Sequence, residues 1–115
     1  MKKLMMLTVS LAAAAIGQPA AADALSVKSN GLAAYKCGDG TSVSAEYFGL
    51  SDGTLFFVKA TIGKDSYTLP QVLSASGTRY TDLVNIEWWE HQGEVSLDLD
   101  VNSESNEATI CKPQS

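Results

Sequence analysis

The residues best suited to chemistry form one polar segment, residues 74–80, which reads Ser-Ala-Ser-Gly-Thr-Arg-Tyr. Small and hydroxyl-bearing side chains bury little apolar surface, and Ser76-Gly77 lets the backbone turn tightly and approach another surface closely. A serine hydroxyl can both donate and accept hydrogen bonds. The segment therefore predicts a displayed loop suited to insertion into the cleft of another protein. An ordinary polar hairpin turn is the alternative interpretation.

The sequence lacks the residue combinations that enzymes commonly use for catalysis. The sequence has one histidine, His91, and contains neither a phosphate-cradling glycine pattern nor an Asp/His metal-ligand cluster. Asp98 and Asp100 alternate along a strand pattern without a glycine-bearing ligand loop, which indicates a solvated strand face rather than a calcium site. We therefore expect a protein that is not an enzyme and that holds no metal or cofactor.

The elements that must position the segment are predicted to be β-strands. Val95, Leu97, Leu99 and Val101 alternate with polar residues, as in a half-buried strand. Other β-prone segments are separated by glycine- and aspartate-rich turns and span residues 33–37, 42–48, 54–62, 66–69, 83–89 and 107–111. So many short strands predict an all-β fold, a small antiparallel β-barrel or a related sandwich, because closure removes exposed edges. The aromatic side chains expected to share its interior are Tyr35, Tyr47, Phe57 and Trp88.

Two cysteines, Cys37 and Cys111, lie near the two ends of the predicted domain. An even count of two in a small exported chain most simply means one disulfide. Closing a loop of this length should stabilise the fold by roughly 4 kcal/mol in the chain-entropy account. A redox or metal-binding thiol pair is the alternative, and the wide spacing makes it improbable.

The first residues have the pattern of a secretory signal peptide. A cationic start at Lys2 and Lys3 precedes an apolar run over residues 4–16 and then small residues, which predicts a signal over residues 1–22 with cleavage after Ala22. Cleavage after Ala24 also fits the pattern. Residues 23–115 would then form one domain with six basic and thirteen acidic residues, a net charge of −7. That charge disfavours nucleic acid and anionic membranes and favours a cationic partner.

Several motifs in order resemble the bacterial inhibitors of C-type lysozyme, over most of the chain after the signal. They are Tyr35-x-Cys37, Thr68-Leu69-Pro70, residues 74–80, Trp88-Trp89 with Gly93-Glu94, and a closing Cys111. The resemblance implies a compact eight-stranded antiparallel barrel that binds C-type lysozyme, a basic protein. The family has an outer-membrane lipoprotein form and a free periplasmic form. This chain lacks a cysteine at the predicted cleavage point, so it resembles the soluble periplasmic form without a membrane anchor.

In that family a serine-glycine loop plugs the lysozyme cleft. A glycosidase of this kind has two carboxyl groups flanking the scissile bond, and a serine hydroxyl can hydrogen-bond to them. By its place before Gly77, Ser76 matches the inhibitory serine, and Ser74 is the reserve candidate. The motif continues with Thr78, Arg79 and Tyr80, of which the last two are expected to hold the loop or to contact the cleft rim.

The second family motif differs in this chain. The family has a lysine after its tryptophan, whereas residues 88–94 here read Trp-Trp-Glu-His-Gln-Gly-Glu. Glu90, His91 or Gln92 takes the place of the lysine, depending on where the extra residues are placed, and of these only His91 could become positively charged, in acidic solution. The resemblance assigns lysozyme contacts to Trp89, Glu90 and His91. Weaker inhibition, or a preference for a different lysozyme, is expected. Trp88 and Trp89 should point to opposite faces of their strand.

A small periplasmic barrel without lysozyme affinity, either ligand-binding or structural, is the alternative function. About eight short strands would fill the barrel interior with side chains and leave little room for a ligand. The oligomeric state stays open at this point.

Overall fold

The computed structural model describes residues 24–114, and the predicted signal peptide of residues 1–22 lies outside this range. The described chain forms eight strands and contains no helix long and apolar enough to cross a membrane. The strands are β1 (Val27–Cys37), β2 (Ser42–Leu50), β3 (Phe56–Ile62), β4 (Asp65–Val72), β5 (Thr78–Thr81), β6 (Glu87–His91), β7 (Glu94–Asp98) and β8 (Thr109–Pro113).

Every strand pairs antiparallel with the next, and β8 returns to pair with β1, so the sheet closes into a barrel. The all-β barrel prediction is confirmed, and so is the strand count that the resemblance implied. In this topology alternate connections share an end of the barrel. Residues 51–55, 73–77 and 92–93 lie at one end, which we call the loop end. Residues 38–41, 63–64, 82–86 and 99–108 lie at the opposite end.

The barrel interior is filled by side chains that alternate inward along each strand. Trp88 is fully buried, meets the Tyr35 ring edge-on at 5.6 Å, and donates from Nε1 to the Tyr47 hydroxyl at 3.2 Å. The inward placement predicted for these three aromatic residues is confirmed. The prediction for Phe57 is wrong, because Val58 and its alternate neighbours face inward and Phe57 stacks outside on Phe48 at 5.0 Å. The other core side chains include Val43, Ala45, Val58, Ala60, Leu69, Val95 and Leu97.

Two predicted strands are shorter than their sequence patterns. Residues 83–86 form a loop instead of the start of β6, because the Asp82 carboxylate accepts backbone hydrogen bonds from Val84, Asn85 and Ile86. The alternating pattern predicted a strand as far as residue 101, but β7 ends at Asp98. The Asp98 carboxylate accepts a hydrogen bond from the N–H of residue 100, and this bond turns the chain. Leu99 is consequently exposed.

The predicted disulfide is present between Cys37 and Cys111. These residues lie directly opposite each other in the β1–β8 pairing, and both are buried. That pairing contains three residue pairs, whereas the β1–β2 pairing contains nine. The disulfide therefore joins the first and last strands where the sheet closes over a short contact.

Candidate functional site

The displayed loop is shorter than the polar segment that predicted it. The β4–β5 connection spans residues 73–77, whereas Thr78, Arg79 and Tyr80 belong to β5. Thr78 lies opposite Glu90 and Tyr80 lies opposite Trp88, so the second half of the segment pairs with β6. The structure thus brings the two sequence motifs together on neighbouring strands at the loop end.

Ser76 is fixed through its backbone while its side chain stays exposed. Its carbonyl oxygen accepts hydrogen bonds from the Ser74 hydroxyl and, at 2.9 Å, from Trp89 Nε1. Its own hydroxyl lies 3.4 Å from Nε2 of His91. Ser74 therefore positions the loop, and Ser76 presents a hydroxyl next to an imidazole.

Gly77 lets the loop lie directly against β6. Its φ of +69° falls in the left-handed region that favours glycine. A Cβ at this position would overlap the carbonyl oxygen of Glu90 and would come within 2.9 Å of Trp89 Nε1. No other residue type fits here without moving the loop away from β6.

Arg79 contacts the loop from within β5, and Tyr80 packs inside the barrel. Arg79 Nε donates to the Glu87 carboxylate at 2.6 Å, and its Nη1 donates to the Leu73 carbonyl oxygen at 3.3 Å. Tyr80 is buried, and its ring packs at a tilt on Tyr47 at 5.9 Å. Of the two expected roles, the hydrogen bond to Leu73 favours support of the loop for Arg79.

A tight turn joins β6 to β7 beside this loop. Gln92 and Gly93 have φ values of 55° and 84°, and positive φ at both central residues is typical of a type I′ hairpin. The turn places His91 opposite Glu94. Trp89 and His91 share the outer face of β6, with ring centroids 6.1 Å apart.

Glu90 has the opposite orientation and lies on the inner face of β6 with Trp88. Its Oε2 is buried and has no hydrogen-bond partner among the described residues. Burial, followed by interaction with the Glu90 carboxyl group, raises the pKa of Tyr47 well above its usual value. Burial, with the charge of Glu90 as the next cause, raises the pKa of Tyr80 to about 12. Unlike Trp89 and His91, Glu90 thus points into the barrel and acts on the two buried tyrosines.

A groove of about 290 Å³ opens on the outer wall next to the loop. Its lining combines the loop with the outer faces of three strands and consists of Ser76, Trp89, His91, Glu94, Ser96 and Ile110. Within residues 24–114 no group of His, Cys, Asp or Glu side chains is arranged to hold a metal ion.

Glu94 entered the sequence prediction only within the Gly93-Glu94 motif, and neither Ile110 nor Leu73 was predicted as a site residue, although Leu73 is 93% exposed at the start of the loop. The sequence does contain a signal that places Glu94 in the site. A two-residue turn at positions 92 and 93 places residue 94 opposite residue 91, so Glu94 had to lie beside His91. No comparable local pattern marked Ile110, because its neighbours come from a distant part of the chain.

Two comparisons with known proteins found matches. Residues 35–106 match the family model MliC, described as membrane-bound lysozyme-inhibitor of c-type lysozyme. The fold is similar to a crystal structure of Pseudomonas aeruginosa MliC in complex with hen egg white lysozyme, with a TM-score of 0.57 and 19% sequence identity. That match covers 93% of this chain and 99% of the solved one. A comparison with curated proteins found no match.

Proposed function

The chain belongs to the MliC family of lysozyme inhibitors, and we propose that it inhibits a C-type lysozyme by inserting the Ser76-Gly77 loop into the active-site cleft. The family is described by inhibition and not by an enzymatic activity. The similar Pseudomonas protein was solved with hen egg white lysozyme, which supports a C-type lysozyme as the partner.

The observation that carries the proposal is the combination of a fixed backbone and an exposed hydroxyl at Ser76. Two hydrogen bonds hold its carbonyl oxygen, and Gly77 keeps the loop flat on β6. A loop ordered before binding loses less conformational entropy when it enters a cleft. The Ser76 hydroxyl can donate to an ionised carboxylate, and it can accept from a protonated carboxyl group. These are the two groups that a lysozyme cleft presents.

An inhibitor of this family works outside the cytoplasm, where lysozyme meets the cell wall. We propose that this chain is the soluble periplasmic form, exported by a signal peptide over residues 1–22. The mature domain would then be residues 23–115. Its disulfide fits an oxidising compartment.

The alternative of a ligand-binding barrel has little support in the described structure. The interior is occupied by fully buried side chains such as Trp88, Val58 and Leu69. The filled interior favours a protein partner over a ligand held inside the barrel.

Inhibition can be tested by mixing the mature protein with hen egg white lysozyme and a bacterial cell-wall suspension and following turbidity. The wild type should protect turbidity. Ser76→Ala should weaken lysozyme binding roughly 5- to 150-fold, because about 1 to 3 kcal/mol is lost when a buried carboxyl group is left without a partner. Ser66→Ala at the opposite end is the matched control and should bind like the wild type.

Gly77→Ala should reduce binding further, because its Cβ pushes the loop off β6. Gly63→Ala is a close control, since Gly63 also has a positive φ of +65° but has no atom within 4 Å of a built Cβ. Both glycine variants carry backbone strain. Weaker lysozyme binding by Gly77→Ala than by Gly63→Ala would therefore report the displacement of the loop and not the strain. Full-affinity binding by Ser76→Ala and Gly77→Ala together would refute insertion of this loop. Lysis by several C-type lysozymes in the presence of excess wild type would refute inhibition itself.

A further inference from the structure

The groove next to the loop combines an aromatic surface with a carboxylate. Trp89 and His91 project from the outer face of β6, and Glu94 and Ser96 project from the facing strand β7. Ser76 lies at the edge of the groove, which makes it continuous with the loop proposed to enter the lysozyme cleft. A partner bound over the loop would therefore cover the groove as well.

Glu94 is the acidic group of this lining, and its local partner holds it weakly. Lys112 Nζ lies 3.9 Å from Glu94 Oε2, and the two side chains are 72% and 43% exposed. Exposed ion pairs of this kind contribute about 0 to 1 kcal/mol, so a better-placed cation can replace the lysine. The Trp89 ring in the same groove offers a second attraction to a cation.

We propose that this groove accepts an arginine side chain of the bound lysozyme, with its guanidinium group on Glu94 and against the Trp89 ring. The inference rests on the proposed function. In the family the inhibitor's lysine is the cation, whereas here the lysozyme would supply the cation and the inhibitor would supply the groove that binds it. Arginine suits the lining better than lysine because its planar group stacks on aromatic rings and can bind a carboxylate through two donors.

Lysozyme binding by four charge variants tests the assignment. Glu94→Gln should weaken binding by up to about fivefold, which corresponds to the upper value of about 1 kcal/mol for a partly exposed ion pair, and it leaves the contact with Trp89 in place. Glu104→Gln, which removes the same charge at the opposite end of the barrel, should weaken it less than twofold. Lys112→Gln should strengthen binding about two- to threefold because the competing cation is gone, whereas Lys64→Gln at the opposite end should strengthen it less. Thermal unfolding of each free variant checks that the fold is unchanged.

A second arm uses hen egg white lysozyme whose lysine amines have been acetylated. The ratio of wild-type to Glu94→Gln affinity should persist with this partner, because acetylation leaves arginine unchanged. Loss of the ratio would overturn arginine as the occupant in favour of lysine. Equal effects of Glu94→Gln and Glu104→Gln would overturn the groove site while leaving inhibition intact. Absence of binding by the wild type would overturn the proposed function and this inference together.

Discussion

Glu90 places a carboxyl group inside the barrel from the same strand that presents Trp89 and His91 to solvent. A carboxylate there lies close to the hydroxyl groups of Tyr47 and Tyr80, whose pKa values it helps to raise. Its buried Oε2 has no hydrogen-bond partner among the described residues, which costs folding free energy. Its influence on lysozyme binding should accordingly be exerted through the position of β6.

The buried tyrosines predict a loss of stability in alkaline solution. Tyrosine in an unfolded chain has a pKa near 10, whereas burial raises that of Tyr80 to about 12. Because the folded state holds the proton more tightly, this stabilisation is complete below about pH 10 and is lost as pH rises through about 12. Urea unfolding at a series of pH values should show the decline. Tyr80→Phe removes the ionisable hydroxyl group, so the difference between the two proteins isolates its contribution.

Replacement of Glu90 by glutamine should move tyrosine ionisation toward lower pH. Glu90→Gln keeps the shape of the side chain and removes the negative charge that opposes formation of tyrosinate. Absorbance of tyrosinate in the folded protein gives the measurement, and Glu46→Gln on the outer wall gives the comparison. Identical titration curves for wild type and Glu90→Gln would show that the carboxyl group does not act on these tyrosines.

Among the elements, the strand contacts differ greatly in length around the barrel. The β4–β5 contact contains two residue pairs and the β1–β8 contact contains three, while β2 and β3 share seven. Short contacts have few backbone hydrogen bonds to resist local opening. The Ser76-Gly77 loop connects two strands that share only a short contact. Its contacts with β6 are therefore needed to keep it ordered.

The disulfide is expected to stabilise the β1–β8 contact most. Replacement of Cys37 and Cys111 together by serine should lower the free energy of unfolding by roughly 2 to 5 kcal/mol, since the loop it closes spans nearly the whole domain. Chemical denaturation of the double variant measures the loss. Hydrogen exchange should show the largest increase in β8. An unchanged free energy of unfolding would mean that strand pairing alone closes the barrel.

The sequence predicted strands correctly where apolar and polar residues alternate over a long stretch. The prediction failed where a local side-chain contact ends the strand early. The alternating pattern correctly predicted β7 up to Asp98. It did not predict the turn that follows, because that turn is made by a hydrogen bond from the N–H of residue 100 to the Asp98 carboxylate. β5 was assigned to the loop because four residues are too few to show alternation. The inward aromatic residues were found except for Phe57, whose face depends on the register of β3. For the site, the Ser76-Gly77 motif came from the resemblance, whereas the hydrogen bond from Trp89 to Ser76 and the inward orientation of Glu90 required the barrel.

At the scale of the molecule, negative charge is concentrated in the second half of the chain. Eight of the thirteen acidic residues lie between positions 82 and 107, and no lysine or arginine lies between Arg79 and Lys112. Five of them lie in or directly beside the connections at the end opposite the loop end, and Glu87, Glu90 and Glu94 lie on β6 and β7. A basic partner would meet an attractive field before any contact forms.

Association with a basic lysozyme should therefore slow as salt is added. Raising the ionic strength from about 10 mM to about 300 mM shortens the Debye length roughly fivefold and screens attraction at a distance. The association rate constant should fall, while the dissociation rate constant changes much less. Stopped-flow measurements over this range give both trends, and a flat association rate would exclude electrostatic steering.

Closure with an even number of strands brings the start of β1 and the end of β8 to the same end of the barrel, and this is the loop end. Val27 and Pro113 therefore lie on the side of Ser76. A bead, sensor chip or bulky tag attached through either of these strand ends would crowd the surface proposed to meet lysozyme. Attachment through the β3–β4 turn at Lys64 would instead direct the loop outward. Capture assays that differ only in the attachment point should differ in apparent lysozyme capacity for this reason alone.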